Sequence, residues 1–308
     1  MSPLTLNQSV PGSSPRGRTQ ETGLRMLPPT RRVSAMRKKS RLFLARQNSE
    51  MFRTTWWFIR KPIFWGELIR EVRYRVFGRQ PYGRAEATMR CANVAITPDQ
   101  LLLSWGFSPQ TRFSASESKL IAKSAARAVS RGFSISGGAN LDVLYASAVR
   151  CDARSVLETG VAAGWSTLAI LAWLLSKPEG KLVSVDRPYP GSASSDYVGA
   201  VLTDDFATSA CWKLLTLPDR LGIPRAIRSL GILDLVHYDS DKTPEGRRFA
   251  YRLLYRALRP GGIFISDDVG DNMAFWEFVD ANELEPVIVD SGDKYVGLVE
   301  KPLCVGGS

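Results

Sequence analysis

From residue 155 onward the chain alternates short apolar runs with longer segments of helical character, and nothing in its 308 residues constrains the fold more. The spacing predicts strands at 155–157, 181–185, 213–217, 233–238 and 262–266. It predicts helices over about 166–175, 205–211, 245–258 and 273–281. Strands separated by helices cannot be joined by tight turns, so they run parallel in one sheet with helices on both faces. The end of the chain differs. The runs 286–289 and 295–299 are linked only by a turn at Ser291-Gly292-Asp293, which makes that pair antiparallel. The expected class is α/β, a doubly wound, mostly parallel sheet with a reversed C-terminal strand and a helical N-terminal extension.

Charge separates the two parts. Residues 1–90 carry 19 Lys and Arg against 5 Asp and Glu, whereas residues 91–308 carry 22 against 25, so the overall +11 belongs to the extension. Residues 1–50 are rich in Ser, Pro and Arg and are expected to be a disordered basic tail; a transit peptide or an early start codon would give the same composition. Residues 51–90 are expected to hold a basic, aromatic, amphipathic helix. After Pro62, Phe64, Leu68, Val72 and Val76 recur at i, i+4 spacing, with Trp65 and Ile69 alongside. Residues 52–78 suit an anionic membrane surface, but a helix docked on its own protein or on a dimer partner is the reading slightly favoured. Residues 91–150 read as a helical cap, and 151–303 as the catalytic domain. The 18 uncharged residues 159–176 contain Gly160, Gly164, Ser166 and Thr167, and fit a glycine turn opening a buried helix better than a membrane span.

Four scattered cysteines and one histidine, His237, lack the close spacing of a zinc site, and a disulfide framework belongs to shorter, cysteine-dense chains. A reducing, cytoplasmic location is the default, with peripheral attachment at the inner membrane face as the variant the aromatic segment allows.

Chemistry concentrates at the strand ends. In Leu157-Glu158-Thr159-Gly160-Val161-Ala162-Ala163-Gly164-Trp165-Ser166 the glycines let backbone approach a ligand closely, ahead of a helix start whose N–H groups favour anions. Asp186 ends the second strand 22 residues after Gly164, where an acid can accept both hydroxyls of a ribose. The fourth strand runs into Asp239-Ser240-Asp241-Lys242 and the fifth into Asp267-Asp268. Carboxylates crowded at that edge repel unless a cation or proton relieves them, and an oxygen-liganded divalent ion such as Mg²⁺ is the economical answer.

The Glu158-to-Ser166 run and the final antiparallel pair resemble the class I S-adenosylmethionine-dependent methyltransferases over roughly residues 140–300. The resemblance implies a Rossmann-like, seven-stranded sheet and S-adenosylmethionine bound through Glu158, Gly160, Gly164, Ser166 and Asp186. The D-x-D-K and following D-D are similar to the catechol and caffeoyl-CoA type O-methyltransferases and to related bacterial small-molecule enzymes. By that resemblance Asp239, Asp267 and Asp268 hold the metal, Lys242 is the base with Asp239 beside it, and the acceptor is a hydroxyl of a small molecule or sugar. The family pattern has Asp-Asn where this chain has Asp267-Asp268. The rival readings are a nucleic-acid methyltransferase on the same fold, for which the usual Asn/Asp-Pro-Pro-Tyr run is missing, and a membrane-peripheral cofactor-binding protein without catalysis. A nicotinamide cofactor ranks below S-adenosylmethionine because the G-x-G-x-x-G pattern is not present.

Overall fold

Helix and strand formers in the computed structural model follow the alternation closely. It describes residues 56–77, 82–108, 115–130, 141–188 and 197–303. All of these lie in the second of two units, Glu50–Ser308; the tail expected over 1–50 lies outside the described residues.

Seven strands form one sheet: β1 Ser155–Thr159, β2 Lys181–Asp186, β3 Trp212–Thr216, β4 Leu233–Tyr238, β5 Leu258–Ser266, β6 Pro286–Asp290 and β7 Tyr295–Glu300, in the order β3-β2-β1-β4-β5-β7-β6. The first five run parallel, while β7 pairs antiparallel with both β5 and β6. The central strands are buried on both faces, which is why they read as continuous apolar runs.

The helices are α1 Trp65–Phe77, α2 Arg84–Val94, α3 Pro98–Ser104, α4 Ala115–Ser130, α5 Leu141–Arg150, α6 Trp165–Leu174, α7 Asp204–Ala207, α8 Asp219–Leu230, α9 Pro244–Ala257 and α10 Ala274–Ala281. One core packs α5 and α6 against one sheet face through Leu144, Leu168 and Ile170, and a second packs α8, α9 and α10 on the other through Ile223, Leu254 and Phe275. Helix α6 is apolar all round because it is buried all round, which explains the uncharged stretch. No described helix is long and apolar enough to cross a membrane. Thr97 caps α3 in a reciprocal box with Gln100, ahead of Pro98 at the first helical position.

Two elements differ from the sequence reading. The helix expected over 205–211 is only the four residues of α7. Helix α8 is not anticipated, because Gly222 and Pro224 read as breakers. A Cβ on Gly222 would lie 2.2 Å from Val185 Cγ1, so the glycine is what lets α8 lie close against β2.

Candidate active site

The carboxyl ends of β1, β2, β4 and β5 meet at one edge, where open parallel sheets bind ligands. From β1 the chain enters the turn 160–164, with Gly160 at φ +79, Ala162 at φ +47 and Gly164 at φ +100. Gly160 must lack a side chain: its Cβ would sit 2.3 Å from the carbonyl oxygen of Asp239. The turn is thereby locked to the loop after β4.

Asp186 Oδ2 accepts hydrogen bonds from the N–H groups of Val161 and Ala162, both 2.9 Å, so the end of β2 holds the glycine turn. Burial pushes its pKa up to about 6, against the backbone hydrogen bonds that favour the ionised form. The residues here fit an adenosyl cofactor. The turn is free of bulk, the first N–H groups of α6 have no partner within the helix, and the indole N–H of Trp165 is buried without a partner among the described residues. Asp219, on α8, accepts a 2.5 Å hydrogen bond from Ser240 at the same edge.

Glu158 and Ser166 do not face that space. Glu158 is fully buried and accepts from the hydroxyls of Ser166 (2.5 Å), Thr167 (2.7 Å) and Ser184 (2.6 Å). The two residues expected to touch cofactor instead tie β1, β2 and the start of α6 together. A carboxylate in the core needs such donors. Beside it lies His237, also fully buried, with Nδ1 3.7 Å from Glu158 Oε1 and Nε2 3.5 Å from Asp267 Oδ1. Those distances make the contacts ionic. Burial alone would lower the imidazole pKa, but the two flanking carboxylates outweigh it and raise it to about 10. His237 is thus a core group flanked by two carboxylates.

The three expected metal ligands do not share one cation: Lys242 takes Asp239 and Asp268, while Asp267 is engaged by His237 and Lys294. Asp267 is fully buried, with Oδ1 toward His237 and Oδ2 accepting from Lys294, and its carboxyl is held well below the usual range despite burial, by His237 and Lys294. Asp239 and Asp268 both accept from Lys242 Nζ. Ammonium groups therefore already relieve the carboxylate repulsion that suggested Mg²⁺. Among the described residues no group of three or more His, Cys, Asp or Glu is arranged to hold a metal ion. The residues present do not fit a divalent cation. Burial, and then the charge of Asp267, raise the pKa of Asp239. Asp268 sits at φ +55, a left-handed conformation that Asp and Asn tolerate better than most residues.

Two site residues escape the sequence reading. Arg247 is fully buried and donates to the carbonyls of Asp267 (3.0 Å) and Asp268 (2.8 Å), fixing that turn. Its signal was legible, since it shares a stripe with Ala250, Tyr251 and Leu254 and is the one charged member. Lys294 follows the Ser291-Gly292-Asp293 turn, and only the antiparallel pairing of β7 brings it to Asp267. Asn272 donates to the Lys242 carbonyl (2.9 Å) and accepts from Ala274 N–H (3.1 Å), so it steadies two loops. Asp241 accepts from Thr243 N–H (3.0 Å) and from Arg70 of α1, and the Thr243 side chain caps α9.

Residues 157–269 match the family model of a methyltransferase domain. The matched segment runs from β1 to just past the Asp267–Asp268 turn and covers less than half of the chain. The strand order, with β7 reversed between β5 and β6, is the class I methyltransferase fold. No curated protein matches the chain. Among solved structures, an O-methyltransferase from Bacillus cereus in complex with SAH is 16% identical, with 61% of this chain and 91% of that one covered and a TM-score of 0.46. An O-methyltransferase from Streptomyces achromogenes involved in tomaymycin synthesis, in complex with SAM, is 15% identical over 64% of this chain and 100% of that one, with a TM-score of 0.47. An SAH-bound methyltransferase from Podospora anserina is 13% identical over 62% and 89%, with a TM-score of 0.44. The fold assignment rests on the strand order itself.

Proposed function

We propose that the chain is an S-adenosylmethionine-dependent O-methyltransferase acting on a hydroxyl of a small molecule or sugar. The observation that carries this reading is the methyltransferase-domain match together with Lys242, Asp239 and the glycine turn at one sheet edge. Asp186, Gly160 and Gly164 would hold the cofactor, which supplies an electrophilic methyl on a sulfonium. A neutral hydroxyl is a poor nucleophile, so the chain must take its proton as the new bond forms.

Lys242 and Asp239 do this as a pair. Lys242 Nζ passes a proton to Asp239 Oδ1, made more basic by burial and by Asp267, and takes the hydroxyl proton in its place. Asp268 holds the lysine from its other side. Arg247, Asn272 and Lys294 keep these loops in register, and positioning of this kind is itself a large part of such catalysis. No step is assigned to a divalent ion.

Isothermal titration of S-adenosylmethionine into wild type and Asp186→Ala tests the cofactor half. Saturable binding that the variant weakens by about tenfold or more is expected, since one or two charge-assisted hydrogen bonds are lost. Absence of binding to wild type would sink the reading. Methyl transfer to a panel of hydroxylated acceptors, with Lys242→Met as control, then tests the chemistry.

A further inference from the structure

Six of the fifteen large apolar side chains exposed among the described residues fall within one short segment: Trp56, Ile59, Ile63, Trp65, Ile69 and Val72. On α1, Trp65, Ile69 and Val72 recur at i, i+4 and i+7, so they stand in one outward row. The other side of the same helix reaches the protein, Arg70 to Asp241 and Glu67 to Arg187 at 3.8 Å. Phe58 and Phe64 are buried and pack on Trp57 with ring centroids 5.1 and 5.2 Å apart, and Trp65 Nε1 donates to the Phe58 carbonyl at 3.1 Å.

Charge identifies the occupant. Arg60, Lys61 and Arg73 are exposed beside the row, within a stretch, residues 1–90, that carries 19 basic against 5 acidic groups. A second copy would bring the same cationic segment against itself and be repelled, whereas a surface of lipid phosphates attracts it. Bulky apolar and indole side chains flanked by Arg and Lys are what the headgroup boundary accommodates. No described helix can span a bilayer, so the segment would lie along the surface.

We propose that residues 56–73 form the face by which this protein docks on an anionic bilayer, the apolar row entering the headgroup boundary and the basic side chains meeting lipid phosphates. The docking stands independently of methyl transfer. The test is sedimentation of the full chain with equimolar phosphatidylglycerol and phosphatidylcholine vesicles, and with phosphatidylcholine alone, while tryptophan emission is followed.

Wild type is expected to bind the anionic vesicles with a blue shift and to bind the zwitterionic ones far less. The triple variant Trp65→Ser, Ile69→Ser, Val72→Ser should lose about tenfold or more in affinity, from the apolar area it no longer inserts. Ile232→Ser, exposed elsewhere, should bind as wild type does. Should the triple variant not fold, Arg60→Gln, Lys61→Gln, Arg73→Gln tests the same face through loss of the salt-sensitive part. The proposal is overturned by three results: no vesicle binding; binding that both variants leave intact, which assigns it to residues 1–50; or a dimer in light scattering that the triple variant abolishes, which makes a second copy the occupant.

Discussion

Glu158, His237 and Asp267 form a row of three fully buried ionisable groups across β1, β4 and the end of β5, with the imidazolium between two carboxylates. Removing the central cation leaves two core carboxylates facing each other, and breaking a buried charge pair in this way typically costs 3–5 kcal/mol. His237→Phe is therefore expected to lose about 3–5 kcal/mol in urea unfolding; a loss under about 1 kcal/mol would mean the row is not charged. Asp186 works in the opposite sense. Its folded pKa of about 6 lies above the unfolded value near 3.9, so its contribution is full below pH 4 and is lost as pH rises through about 6. The cost at neutral pH is about 3 kcal/mol, and Asp186→Asn should flatten stability between pH 4 and 7. The ionised carboxylate is also the form that accepts ribose hydroxyls, so S-adenosylmethionine affinity should rise across the same window and not do so in the variant. For the transfer step, Lys242→Met is expected to lower kcat by about 10²–10⁴ with cofactor affinity retained, and Asp239→Asn to remove the acidic limb of the pH–rate profile.

At the scale of elements, the site is a set of loops held from behind. Helix α9 contributes Arg247 to the Asp267–Asp268 carbonyls, α6 contributes Ser166 and Thr167 to Glu158, and α8 lies on β2, whose last residue holds the glycine turn. The close fit of α8 depends on Gly222. Gly222→Ala places a methyl 2.2 Å from the Val185 side chain and should cost about 1–3 kcal/mol by overpacking. Because β2 would shift with it, cofactor affinity should fall as well, which titration on the folded variant checks. An unchanged melting curve would show that α8 can move away freely.

Over the whole molecule, the charge balance of the carboxyl edge is closed by residues distant in sequence. Lys242 answers Asp239 and Asp268, and Lys294, in the turn just before the reversed β7, answers Asp267. Adding Mg²⁺ or EDTA should accordingly leave the thermal midpoint and the S-adenosylmethionine affinity unchanged. A saturable rise of the midpoint with Mg²⁺ that Asp268→Ala abolishes would show a cation displacing Lys242.

The sequence by itself determined the sheet. Period and run length depend only on which residues must be buried, so the strand–helix alternation, the antiparallel end and the positions of Gly160, Gly164, Asp186, Asp239, Lys242, Asp267 and Asp268 at strand ends were all legible. What those residues do to one another was decided by tertiary structure alone. A carboxylate in sequence looks the same whether it meets a ligand, as read for Glu158, or three hydroxyls in the core, as found. Three aspartates suggest a metal until the partner cations are placed, and Lys294 reaches Asp267 only because β7 inserts between β5 and β6. Burial and pairing across strands are properties of the folded chain, and they set which charges are satisfied within the protein and which remain to act on a substrate.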